Sequence, residues 1–185
     1  MGSKATRNCF SIARYPIAKR NHAWTPAYRA PECDIENAPV MRSSDIWSLG
    51  CVFSEMICWI LGGHELKEQF EERRIANDLN GLLSLTSFEI VPQGDYHVAR
   101  IKPAVTQFFD DLRTLPHGTE YIWDLLDIVQ HHMLVINSED EKRISSKELV
   151  HRLEKMDKWV YDDMSYAIEP VPPSPITSPI SLIFR

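Results

Sequence analysis

The chain has 185 residues, 44% of them apolar and a quarter charged, which is enough for one domain with a core of its own. Acidic side chains outnumber basic ones by 26 to 20, a net charge of −6 that argues against a dedicated nucleic-acid binder. Four cysteines without C-x-x-C spacing indicate neither a disulfide framework nor a zinc module, and no apolar signal core opens the chain, so the expected compartment is reducing, cytoplasmic or nuclear.

Residues 1–24 are basic and irregular, with Lys4, Arg7, Arg14, Lys19 and Arg20 and no acid, and are expected to be poorly ordered. The stretch TPAYRAPE, residues 25–32, contains Pro26 and Pro31, which forbid a regular helix through it. Residues 43–61, SSDIWSLGCVFSEMICWIL, are predicted to be a helix. Ser43 or Ser44 can cap it and Asp45 sits in its first turn, where a negative charge suits the helix dipole. Between Ile46 and Leu61 its only charge is Glu55, and apolar side chains cover every face, so burial all round is expected. A membrane span is the competing reading, but the apolar run is shorter than a span needs and Glu55 lies in its middle.

Gly62-Gly63 is predicted to end that helix, and residues 64–79 to form a second, charged one with Leu66, Phe70 and Ile75 as a thin apolar stripe. The glycine- and proline-marked stretch 80–103 reads as a loop with a short strand pair near 86–91 and 96–101. A short helix over 104–115 follows. Over 119–134 the 3.6-residue period is clean, with Ile122, Leu125, Leu126, Val129 and Met133 on one face. Adjacent His131 and His132 point about 100° apart on a helix and are expected to be partly exposed rather than metal ligands. Ser145 and Glu148 fit a capping box for a last helix that turns Leu149, Val150, Leu153 and Met156 inward. Residues 163–185 are rich in proline and serine and are expected to be extended and mobile. Ser174-Pro175, Ser178-Pro179 and the Pro170/Pro173 spacing could serve proline-directed modification or recognition.

Two motifs stand at a suggestive distance: Ala30-Pro31-Glu32, preceded by Thr25 and Tyr28, and then Asp45-Ile46-Trp47-Ser48-Leu49-Gly50-Cys51. Together they resemble the large lobe of a eukaryotic protein kinase, whose A-P-E motif closes the activation segment. MLVINSEDEKRISSKEL, residues 133–149, is similar to that family's penultimate turn and last helix. The likeness runs from about residue 24 to 156, loosely over 64–120. It implies a mainly α fold: a truncated, helical large lobe over 25–162 without the small lobe. It implies that Glu32 pairs with Arg143, and that Asp45, Trp47 and Gly50 belong to the helix that organises the lobe. Asp45 would there accept backbone N–H bonds from the catalytic loop. Thr25, Pro26, Ala27, Tyr28 and Arg29 would line the pocket for the substrate residue just past the phosphorylated one. The threonine and tyrosine point to the serine/threonine type.

That family binds ATP and magnesium through a glycine-rich loop, a strand lysine, a catalytic-loop aspartate and asparagine, and a D-F-G aspartate. The sequence contains no G-x-G. Val98-Ala99-Arg100-Ile101-Lys102 and His151-Arg152-Leu153 imitate kinase motifs but follow A-P-E instead of preceding it, and read as ordinary surface and core residues. The chain is therefore expected to have no catalytic, cofactor-binding or metal-binding residue and to be inactive by itself. It would be a fragment of a kinase domain, a non-catalytic interaction or scaffold protein, or one half of a split kinase. The partners to expect are a protein substrate, the missing kinase half or a chaperone, with neither nucleic acid nor membrane. Large side chains of the apolar helix would be uncovered without the catalytic loop and the helix before it.

Overall fold

The computed structural model describes residues 26–34, 42–78, 81–94, 96–138 and 141–172. Thr25, the basic segment 1–24 and the Ser-Pro motifs at 174 and 178 lie outside the described residues. The described chain is mostly helical, with small antiparallel strand pairs. Its elements are two short 3-10 turns (Pro26–Tyr28 and Pro31–Asp34), α1 (Ser43–Arg74), β1 (Ala76–Asn77), β2 (Leu83–Ser84), β3 (Phe88–Gln93), β4 (Tyr96–Ile101), α2 (Pro103–Leu112), α3 (Glu120–Ile128), a π-helical turn (Val129–Met133), α4 (Ser146–Asp162) and α5 (Ser165–Ile168).

The long element α1 is two helical runs joined at the glycines. Gly62 (φ −156°, ψ 15°) and Gly63 (φ 66°, ψ −150°) are non-helical, and only glycine adopts the second pair without strain. By length and composition α1 could cross a membrane, and half of its most apolar window is buried within the protein. Its first run is buried on one side only. Ile46, Trp47, Gly50, Cys51, Ser54, Ile57, Cys58 and Leu61 face inward. Leu49, Val52, Met56, Trp59 and Ile60 form an exposed stripe at helical spacing. Burial all round, expected from composition, is thus corrected: the described residues cover one face and leave the other open.

The second run ends at Arg74 rather than at 79, because Ile75 turns extended (φ −65°, ψ 118°) and the Lys102 ammonium donates to the Arg74 carbonyl. Phe70 from this run stacks on Phe108 of α2, with ring centroids 5.1 Å apart. Strands β1 and β2 pair antiparallel, β1 within the stretch expected as the end of the second helix and β2 where a loop was expected, and the predicted hairpin appears as β3 and β4, paired from Phe88↔Ile101 to Gln93↔Tyr96. Helix α3 is capped by the Thr119 hydroxyl and runs into the π-helical turn, whose Met133 packs against α1 at Gly50. A Cβ on Gly50 would lie 3.0 Å from Met133 Cβ, so glycine lets the two elements approach closely.

Order continues past residue 162, where the sequence suggested it would fade. Tyr166 on α5 donates to Asp124 and packs edge-on against Tyr121 and Trp159, and Val171 N–H donates to the Gly118 carbonyl. Of the predicted capping box, half is present: Ser145 accepts from the Glu148 N–H, while the Glu148 carboxylate takes a bond from Arg152. Val150, expected inward, is exposed.

Candidate functional site

Residues 26–34 lie across the start of α1, held by three sets of bonds. In the first, the Tyr28 carbonyl accepts from the Ser48 hydroxyl at 2.8 Å. The second is a carboxylate–guanidinium fork. Arg143 Nη1 donates to Glu32 Oε1 at 2.7 Å and Nη2 to Oε2 at 3.1 Å. Two parallel charge-assisted bonds of this kind fix orientation as well as contributing energy. The Arg143 side chain has no exposed surface, and two further donors go to main chain: Nη1 also reaches the Ser43 carbonyl and Nε the Val135 carbonyl. The guanidinium carbon lies 5.1 Å from the centre of the buried Trp47 ring. Arg143 thus joins the 31–34 turn, the start of α1 and the segment after the π-helical turn.

Burial alone would raise the Glu32 pKa, but the Arg143 bonds and charge, together with the Ser44 hydroxyl, hold the carboxyl below its ordinary value. Ser44 donates to Glu32 and Ser43 Oγ accepts from Asn137, so neither serine caps α1, contrary to the sequence expectation. Both hydroxyls are engaged by residues from other elements instead. Asp45 is exposed in the first turn of the helix.

The third set was not legible in the sequence. The Tyr28 hydroxyl donates to Glu55 Oε2 at 2.9 Å, and Arg74 Nη2 donates to Glu55 Oε1 at 2.9 Å. Arg74 is 1% exposed, lies over the Phe70 ring and keeps Nε and Nη1 without acceptors. Lys102, also buried, donates to the Arg74 and Ser84 carbonyls, and burial pulls its pKa down to about 8. One signal could have found this cluster: a lone carboxylate inside an apolar helix needs a partner. Arg29 is buried beside Asp34, with Nε 2.7 Å from Oδ1, and Ala30 is 1% exposed.

Of the residues singled out from sequence, Tyr28, Glu32, Trp47, Gly50 and Arg143 therefore share one packed region. Burial pushes the Cys51 thiol up to about 11 and the Cys58 thiol up to about 12, so neither supplies a thiolate near neutral pH. Among the described residues no three His, Cys, Asp or Glu side chains converge as metal ligands. What this geometry can do is hold the two 3-10 turns of residues 26–34 in one fixed pose against a helical platform. The comparisons with family models, curated proteins and solved structures give no match.

Proposed function

We propose that the chain is part of the large lobe of a serine/threonine protein-kinase-like domain and that it performs no phosphoryl transfer by itself. The observation that carries the reading is the fork between Glu32 and Arg143, two residues 111 positions apart in the chain. The resemblance named that pair, and here it closes around the start of the helix that bears Asp45, Trp47 and Gly50. Docking of residues 26–34 through Tyr28 fits a role for Thr25 to Arg29 as a substrate-facing segment, with the Tyr28 and Arg29 side chains turned into structural bonds. The parent reaction needs ATP and magnesium. The sequence has no G-x-G loop, and that absence is what motivates the reading of an inactive part.

The test is phosphorylation of a general protein substrate by the purified chain with magnesium and ATP. No transfer above a buffer blank is expected, and activity that survives removal of contaminating kinases would overturn the proposal. A second reading, an interaction module or one half of a split kinase, is favoured by the exposed stripe Leu49, Val52, Met56, Trp59 and Ile60 on α1. A soluble monomer with a cooperative melt favours the module. Activity recovered on adding a separate chain that bears the glycine-rich loop and catalytic aspartate favours the split kinase.

A further inference from the structure

A cleft of about 660 Å³ separates α3 and the π-helical turn from α4. His132, on this turn, places Nε2 3.1 Å from Arg152 Nη1 of α4. A guanidinium has donors only, so Nε2 must be the acceptor, and the imidazole is neutral with its proton on Nδ1. The main chain of His132 is fixed as well, since its carbonyl accepts from the Ile144 N–H, next to the Arg143 anchor.

The charged and titratable groups facing His132 come from every element of the cleft. Asp124 and Asp127 stand on α3, His131 on the π-helical turn, and Glu148, His151, Arg152 and Lys155 on α4. The three carboxylates already accept hydrogen bonds: Asp124 from Tyr166, Asp127 from Arg113 and Glu148 from Arg152. An imidazolium at His132 would face the Arg152 guanidinium at hydrogen-bond distance, with both groups offering protons. Burial and the Arg152 charge accordingly hold the His132 pKa below its ordinary value. Apart from this contact, α4 is held by buried Leu149 and Met156, by half-buried Leu153 and by Trp159 edge-on against Tyr166, so the polar link to the π-helical turn adds to a modest apolar seam.

We propose that the His132–Arg152 contact is an acid-sensitive latch, which holds α4 against the π-helical turn and releases it, opening the cleft, when His132 takes up a proton. With α4 released, His132 titrates near its ordinary value of about 6.5. The docked state, which disfavours the proton, is fully stabilised above that value and loses stability as the pH falls through it toward the lowered one. This window lies above the carboxylate range, and the latch does not depend on the kinase-like reading.

The experiment is amide hydrogen exchange, expressed as protection factors, at about pH 7.5 and about pH 5.5, either side of the ordinary imidazole value. It compares the native chain with His132→Gln, whose amide oxygen can still accept from Arg152 but does not titrate. The native chain is expected to lose protection several-fold over residues 146–162 at the lower pH, while α1 and the β3–β4 hairpin keep theirs. The His132→Gln chain is expected to keep protection throughout. Equal loss in both chains, or no loss in the native one, overturns the latch. Should His132→Gln fail to fold, the His132 ring is titrated by NMR in native and Arg152→Gln protein. Removing the guanidinium is expected to move the titration upward, and an unmoved titration overturns the proposal.

Discussion

At Arg143 one side chain does the work of several local caps. It neutralises Glu32 and satisfies the Ser43 and Val135 carbonyls, with its own side chain fully buried and the Glu32 carboxylate mostly so. Replacing it therefore strands a carboxylate and two carbonyls together, whereas replacing Glu32 removes one acceptor and leaves the carbonyl bonds in place. Arg143→Met is expected to cost about 3–5 kcal/mol, the range for breaking a buried ion pair from one side. Glu32→Gln, which can still accept one bond, should cost distinctly less. Denaturant midpoints at constant m-value measure both, and equal losses would show that the carbonyl bonds contribute nothing. The same pair sets an acid limit. The folded Glu32 carboxyl binds its proton below the ordinary value, so its contribution is present above about pH 4.5 and is lost as the pH falls through the lowered value. Glu32→Gln should remove that part of the acid transition.

Across α1, Glu55 on the first run and Arg74 at the end of the second are joined over the Gly62-Gly63 break, so the ion pair fixes how the two runs fold on each other. Arg74 already carries two unpartnered donors, and loss of Glu55 would leave a whole buried cation. Glu55→Gln is expected to destabilise by about 3–5 kcal/mol, and Glu55→Leu combined with Arg74→Met to restore most of that loss, since a packed apolar pair often matches a buried ionic one. Thermal melts of the single and double variants decide it, and a double variant as weak as the single one would point to Tyr28 and the hairpin as the parts that need the charge. Local patterns gave away much of the fold: the apolar run from Ile46, the glycine break, the strand pair between glycine and proline markers and the period of α3. The cap of α1, its end at Arg74 and the Glu55 cluster were not legible. Each is decided by a residue from another element (Glu32, Lys102 or Tyr28), and sequence-local rules do not see such partners. The Glu32–Arg143 pair was reachable only through family resemblance, since nothing in either residue's neighbourhood indicates the other.

For the whole molecule, the exposed stripe on α1 is the feature that composition alone misread. An apolar helix implies a covering layer on every side, yet Trp59 is 54% and Ile60 62% exposed. Large apolar side chains left in water forgo about 1.5–3 kcal/mol each relative to full burial, so an uncovered row favours association over folding energy within the chain. Self-association and stability should then separate on mutation. Trp59→Gln with Ile60→Lys is expected to leave the melting midpoint within the range of ordinary surface changes, about 0.5 kcal/mol, while reducing concentration-dependent scattering. Light scattering and thermal melts on the same samples measure the two effects. A large fall in stability would mean that these side chains pack against the chain itself, and unchanged scattering would mean that another surface, such as exposed Leu82 and Leu83 at β2, drives association. Because Trp59 and Ile60 are exposed and lie about three turns along the helix from Trp47, their substitution leaves the Glu32–Arg143 fork intact, so any loss of partner binding in the same variants would assign the stripe to an interface and not to the core.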